Sequence, residues 1–240
     1  GTVSGYCAVP SFSVPGGYLA APFTLEMSCT TEGAEIRYTT DGSTPTASST
    51  LYTGPITVSR PADREGMAVR AIAIAPGKLN SDEMVATYIF DEKHSLPVVC
   101  LSITKSDFQY VYSSVKREQK YERPGYVEYY EGDGTLGVRF PAGFRVAGAG
   151  TRTYNQKSLN LYLRGGYGLS SVTYPFFGDY EIKTYKSLSL RNMGQDRALT
   201  CLRDAYFHTI ANGLNILNMQ SKFAAVYING RYWGLYEFKE

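Results

Sequence analysis

The sequence has little histidine, cysteine or tryptophan, and no surplus of charge of either sign. Its 240 residues hold 2 His, 4 Cys, 1 Trp and 5 Met, with 24 Lys+Arg against 22 Asp+Glu. His94 and His208 stand apart from any Ser or Cys nucleophile pattern, so neither suggests a catalytic triad. Cys7, Cys29, Cys100 and Cys201 form no CxxC and no Cys/His ligand spacing, which argues against a sulfur-bound metal. Buried free thiols are the expectation, with a Cys7–Cys29 bridge left open. A net charge of +2 without any run of five basic residues carries no nucleic-acid footprint. No apolar run reaches the roughly 18–20 residues of a membrane helix. GxSxG, HExxH and Walker A sequences are absent. No leader-like segment is read at the amino end, where Gly1-Thr2 looks like the start of a trimmed chain.

What is present suits strands and turns. Hydrophobic residues make up 43% of the chain, enough to offset chain entropy and exclude disorder. Tyr is unusually common at 21 residues and is joined by 24 Gly and 11 Pro. Length alone allows one large or two small domains. Charge divides unevenly: residues 1–90 hold 5 basic and 8 acidic side chains, residues 91–240 hold 19 and 14. The basic part could favour a phosphate-bearing ligand, although a shift this small is weak support.

Residues 1–90 read as all-β. Strand-like runs at 23–28, 34–39, 67–75 and 84–90 are separated by turn chemistry, notably Asp41-Gly42 and Ser43-Thr44-Pro45. Short strands at this spacing predict a β-sandwich. The stretch 38–46, followed by Leu51-Tyr-Thr-Gly-Pro-Ile56 and Val69-Arg-Ala-Ile-Ala73, resembles the chitobiase/β-hexosaminidase C-terminal-type module. That resemblance implies an immunoglobulin- or fibronectin-III-like sandwich, an accessory part of secreted bacterial proteins with no chemistry of its own.

From residue 91 the pattern changes. Residues 94–101 read as a strand entering a second domain, and 107–120 as polar and irregular. Strand-like arms at 125–131 and 135–140 flank Gly132-Asp-Gly134, and another strand is read at 143–146. Residues 156–163 alternate so that Lys157, Leu159, Leu161 and Leu163 share one face, and 186–190 repeat that alternation. One main helix is expected at 197–211, capped by Asp196, striped by Leu199, Leu202, Tyr206 and Ile210, and stopped at Gly213. Strands at 223–228 and 232–238 flank Asn229-Gly230, a two-residue hairpin signal.

Candidate chemistry concentrates in two glycine-rich segments. Gly132-Asp-Gly-Thr-Leu-Gly137 fits GxGxxG about twenty residues before Lys157, the order of a protein kinase, but Asp-Gly between two β runs reads first as a plain hairpin turn. No helix-forming stretch follows it, which excludes a dinucleotide-binding fold. The loop Gly148-Ala-Gly150-Thr-Arg-Thr-Tyr-Asn-Gln156 offers close backbone approach at Gly148 and Gly150, hydroxyls at Thr151 and Thr153, and Arg152. A mobile surface loop is its plain alternative. Lys157, on a leucine face, needs an anionic partner or must snorkel to solvent. Asp204 could hold it, or pair with Arg197, Arg203 or His208. The aromatic band Tyr227, Tyr232, Trp233, Tyr236 and Phe238 could stack on a sugar or adenine, but a terminal hairpin more often buries such residues. Ser106-Asp107-Phe108 reads as a loop or helix cap.

Several motifs taken together resemble the spore-coat CotH kinase-like family. They are His94-Ser-Leu-Pro-Val-Val99, Phe144-Arg-Val-Ala-Gly-Ala-Gly-Thr-Arg-Thr-Tyr-Asn-Gln-Lys-Ser-Leu159, Tyr185-Lys-Ser-Leu-Ser-Leu-Arg-Asn-Met-Gly-Gln-Asp196, Leu202-Arg-Asp-Ala205, and Val226-Tyr-Ile-Asn-Gly-Arg-Tyr-Trp-Gly-Leu-Tyr-Glu-Phe-Lys-Glu240. The resemblance implies an antiparallel-sheet kinase-like N-lobe, so the whole chain is expected to be α+β and β-rich. It implies ATP and Mg, with phosphate transferred to Ser on proteins. Lys157 would contact phosphate, and the loop from Gly148 through Gly150, Thr151 and Arg152 to Gln156 would cover it. Glu240 would lie near the hinge where adenine docks. Thr151 stands where Ser is usual, and Asn155 where Pro is usual. The acidic residues of this chemistry follow the hinge in the family, so residues 91–240 read as the N-terminal portion and the fragment is expected to be inactive. Expected partners are a protein substrate or cell-surface partner, or a glycan, with a secreted or cell-surface bacterial location. The alternative is a non-catalytic adhesion or carbohydrate-associated scaffold. No carboxylate pair has a setting that would favour a glycosidase.

Overall fold

The computed structural model describes residues 5–113, 118–212, 214 and 218–240. Its first part is a β-sandwich. One five-stranded sheet runs in the order Gly17–Tyr18, Met84–Ile89, Gly66–Ile74, Glu35–Thr39, Thr50–Leu51. The short pairs Phe23–Leu25 with Ile56–Val58, and Ser11–Phe12 with Met27–Ser28, supply the facing layer. Leu25, Met27, Ile36, Val58, Val69 and Tyr88 close the core between them. Cys7 and Cys29 are both free thiols, and the Cys29 thiol donates to the Ala8 carbonyl at 3.3 Å.

Strand Gly66–Ile74 is buried on both faces, which explains its nearly unbroken apolar run. Its second face and that of Met84–Ile89 meet the following domain. Arg70, 2% exposed, has its guanidinium 5.9 Å from the Tyr126 ring, and it bonds Glu83 Oε2 at 2.7 Å and the Gly42 carbonyl at 2.8 Å. The Arg139 guanidinium donates to the Val85 carbonyl at 2.7 Å.

The second part is a closed seven-stranded barrel. Its order is Val98–Ser102, Arg123–Tyr130, Leu136–Ala147, Ser158–Tyr162, Ser187–Arg191, Arg231–Lys239, Ser221–Ile228. All pairings are antiparallel except the closing seam, where Val98–Leu101 runs parallel to Ala225–Ile228. Inward alternation from every strand fills the interior, with Val99, Val127, Phe140, Leu161, Leu188 and Phe238 among the buried residues. The aromatic terminal hairpin divides: Tyr236 and Phe238 are buried in this core, Tyr227 is buried on the other face with Ile89 and Tyr130, and Trp233 donates to the Tyr112 hydroxyl at 2.9 Å.

Three local expectations change. The runs at 135–140 and 143–146 are one strand, Leu136–Ala147. Pro141 is tolerated inside it because pairing with Ser158–Tyr162 begins only at Gly143. The segment expected to be irregular forms a helix, Lys105–Ser113, with Val111 buried and Phe108 and Tyr112 packed on the barrel core. Their spacing of three and four residues is the helical signal that its polar composition hides.

The main helix is also shorter than expected. A 3₁₀ turn covers Gly194–Ala198, Cys201 takes φ 59°, and the helix runs Arg203–Asn212. Asp196 does cap it, but from seven residues back, accepting from the Arg203 amide at 3.0 Å and the Thr200 hydroxyl at 2.7 Å. Leu199, Leu202, Tyr206 and Ile210 stay exposed, so no burial of that stripe enforces helix through 197–202. The stop expected at Gly213 lies outside the described residues.

Burial has a consequence for alkaline stability. Desolvation pushes the hydroxyls of Tyr126, Tyr174 and Tyr185 up to about 12. Groups raised in the folded state contribute stability that is intact below the unfolded tyrosine pKa near 10 and lost as pH climbs through the folded value. Stability should therefore fall between about pH 10 and 12. Tyrosinate absorbance at 295 nm and the circular dichroism signal, followed together, should show a late ionising class that appears with unfolding. Titration of every tyrosine near pH 10 with the fold intact would contradict this.

Candidate functional site

Alternation that sends leucines into the barrel sends the opposite side chains out. On three adjacent strands these are Ser158 and Asn160, Ser189 and Arg191, and Glu237 and Lys239. The register sets Asn160 beside Ser189 and Ser189 beside Lys239, with Arg191 beside Glu237. Such same-face neighbours lie about 4.5–5.5 Å apart at Cβ, so they form a continuous polar patch. Ser189 donates to Asn160 Oδ1 at 2.8 Å.

Two segments wall this patch into a cleft of about 790 Å³. One is the glycine-rich loop, where Gly148 takes φ 95° and residues Gly150–Thr153 form a 3₁₀ turn. The other is the Gly194–Ala198 turn with the start of helix Arg203–Asn212. Buried Asn192 ties the two together. Its amide donates to the Gln156 carbonyl at 2.7 Å, and its oxygen accepts from the Ser158 hydroxyl at 2.9 Å and the Gly194 amide at 3.2 Å.

The expected site residues divide into two groups. Gly148, Gly150, Thr151, Asp204 and Glu240 line the cleft. Lys157, Arg152 and Gln156 lie outside its lining. Lys157 stays on the leucine side, where its ammonium donates to the carbonyls of Arg152 at 2.5 Å and Tyr154 at 3.0 Å. Arg152 turns back to the Ala149 carbonyl at 3.0 Å, and Gln156 donates to the Leu235 carbonyl at 2.9 Å. Asp204 pairs with Arg191, which the register sets beside Glu237 on the outer face of the barrel, and the Lys157 ammonium is taken by the loop carbonyls instead. The GxGxxG segment is remote from the cleft. Gly132 abuts the Ser95 carbonyl and Gly134 the Lys93 side chain, so it is the hairpin turn.

Residues that sequence reasoning did not assign to the site also line it, among them Ser158, Asn160, Ser189, Arg191, Arg203 and Lys239. Their signal was the polar half of each alternation, which becomes a site only once the register aligns the strands. Charge is held tightly there. Arg203 pairs with Asp196 at 3.5 Å, and hydrogen bonds from Thr200 and the Arg203 amide hold the Asp196 carboxyl below its ordinary range. Desolvation pulls the Lys239 ammonium down, Glu237 and Glu240 oppose that, and Arg191 adds to it. One oxygen each of Asp196 and Glu237 is buried without a hydrogen-bond partner.

The lining brings loop backbone, the Thr151 hydroxyl, the cations of Arg191, Arg203 and Lys239 and the carboxylates of Asp196, Asp204 and Glu240 to one cleft. No group of three or more His, Cys, Asp or Glu suited to a metal ion occurs among the described residues. The fold is thus a β-sandwich joined to a closed barrel that carries this cleft. Comparison with known families sharpens this: residues 14–87 match the model of the Chitobiase/beta-hexosaminidase C-terminal domain, and residues 144–240 that of the CotH kinase protein. The chain therefore carries a chitobiase-type module followed by a CotH-type segment. No curated protein is similar enough to count as a match.

Proposed function

We propose that the cleft binds ATP and serves phosphoryl transfer to a protein hydroxyl, in a secreted or cell-surface bacterial protein. The observation that carries this reading is the cleft itself. It lies within the CotH-matching segment and is lined by Gly148, Gly150 and Thr151 at one side and Glu240 at another. The loop glycines let a triphosphate approach backbone N–H groups, and the Thr151 hydroxyl adds a donor. Glu240, whose carboxylate accepts from the Gln220 amide at 2.9 Å, marks the adenine end. Magnesium arriving with the nucleotide would neutralise phosphoryl charge. The described residues form no metal site of their own, so no step is assigned to a protein-held ion. The chitobiase-type module supports the extracellular assignment and a scaffolding role beside it.

Isothermal titration calorimetry of the chain with MgATP tests the reading. Saturable binding at one site, lost with excess inorganic tripolyphosphate, is expected. Absence of heat, together with a glycan-array signal, would replace it with the non-catalytic scaffold.

A further inference from the structure

We infer that Lys239, rather than Lys157, is the lysine that meets the phosphates in this cleft; the inference rests on the nucleotide reading above. Lys157 is already satisfied by the two loop carbonyls of Arg152 and Tyr154. Moving it into the cleft would break both bonds and take it from the Tyr112 ring, 5.7 Å away. Its work is to hold the 152–154 backbone in a turn, and so to shape the glycine-rich loop from behind.

Lys239 is in the opposite condition. It is 6% exposed and lines the cleft beside Ser189 and Asn160. Among the described residues its ammonium forms no ion pair, whereas the other cations of the lining, Arg191 and Arg203, are taken by Asp204 and Asp196. Its ammonium stands 3.4 Å from His208 Nε2. The Asn218 amide donates to the His208 carbonyl at 2.7 Å, which turns Asn218 Oδ1 toward His208 Nδ1. With Nδ1 turned to that oxygen, Nε2 is the ring nitrogen that faces the ammonium, and an imidazole there orients the lysine without pairing its charge. A desolvated cation in this state favours an incoming anion. Desolvation weighs against the ammonium and Arg191 adds to that, while Glu237, two residues back on the same face, and Glu240 oppose it without an ion pair to the lysine.

The test compares wild type, Lys239→Met, Lys157→Met and the double variant Glu237→Gln/Lys239→Met, each checked for its melting transition. Two probes are titrated into each, MgATP and metal-free inorganic tripolyphosphate. Loss of a charge-assisted phosphate contact at Lys239 should weaken both probes by roughly tenfold or more. Lys157→Met should weaken them less, through a looser loop. Should Lys239→Met fail to fold, the double variant, which removes both buried charges, carries the comparison. Folded Lys239 variants with wild-type affinity for MgATP would overturn the assignment and leave the nucleotide reading standing. Tripolyphosphate binding that depends on Lys239, without MgATP binding, would uphold the assignment and remove the nucleotide. A wild-type chain that binds neither probe overturns both.

Discussion

Glu128→Ala should lower the unfolding free energy by about 3–5 kcal/mol. Glu128 is 1% exposed between strand Met84–Ile89 of the sandwich and the barrel. Its Oε1 accepts from the Thr87 amide at 3.1 Å and the Tyr130 hydroxyl at 2.6 Å, and its Oε2 from the Thr87 hydroxyl at 2.5 Å. Truncation leaves three dry donors, one of them a backbone N–H that cannot turn elsewhere. Arg139 stands opposite Glu128 in the register and also donates to Val85, so the substitution leaves a guanidinium without its cross-strand counter-charge. Glu128→Gln keeps the acceptor that serves the amide and should cost about 1–2 kcal/mol. Urea denaturation measures both. If the two parts are locked through this residue, wild type unfolds in one transition and Glu128→Ala moves its midpoint or splits it. A loss below about 1 kcal/mol would show that the contact does not hold the parts together.

Strands with clear alternation or strong turns were legible in sequence, and their partners were not. The run read at 67–75 is strand Gly66–Ile74, and Asn229-Gly230 forms the turn between Ser221–Ile228 and Arg231–Lys239. Local chemistry suffices for such elements. Barrel closure is different. Residues 98–101 pair in parallel with 225–228, far along the chain, and nothing local distinguishes that strand from an antiparallel one. The helix reading at 197–211 failed in its first turns for the converse reason. Its stripe is a good pattern, but the described chain offers nothing to bury it, and Asp196 binds the amide of Arg203 instead.

The site was half legible. Glycine spacing in 148–151 pointed to the loop, and that loop walls the cleft. Alternation had already put Lys157 with Leu159, Leu161 and Leu163, and therefore away from Ser158 and Asn160. Those small polar residues carry no signal alone. They matter because Ser189, Arg191, Glu237 and Lys239 stand beside them in neighbouring strands, which only register can supply.

Gly230→Ala is the second substitution with a large expected effect, and it acts on the cleft from a distance. Gly230 has φ 80°, which a side chain resists, and an added Cβ would lie 2.2 Å from the Gly66 carbonyl oxygen and 2.4 Å from its carbon. Both obstacles are backbone of the sandwich, in a strand buried on both faces, so neither can turn aside as a side chain would. Left-handed strain and enforced separation together should cost about 2–5 kcal/mol. The hairpin cannot simply rock away, because the Asn229 side chain accepts from the Ile103 amide at 2.9 Å and donates to its carbonyl at 2.7 Å. Glu65 grips the hairpin's other arm, accepting from the Tyr232 amide at 2.7 Å. That arm is strand Arg231–Lys239, which ends at Lys239 and leads to Glu240 in the cleft. Gly230→Ala should therefore depress the melting transition and weaken tripolyphosphate binding together, whereas Gly54→Ala, with nothing within 4 Å of the added Cβ, should change neither. Full stability with Ala at position 230 would mean that the sandwich does not brace the hairpin on which the cleft is built.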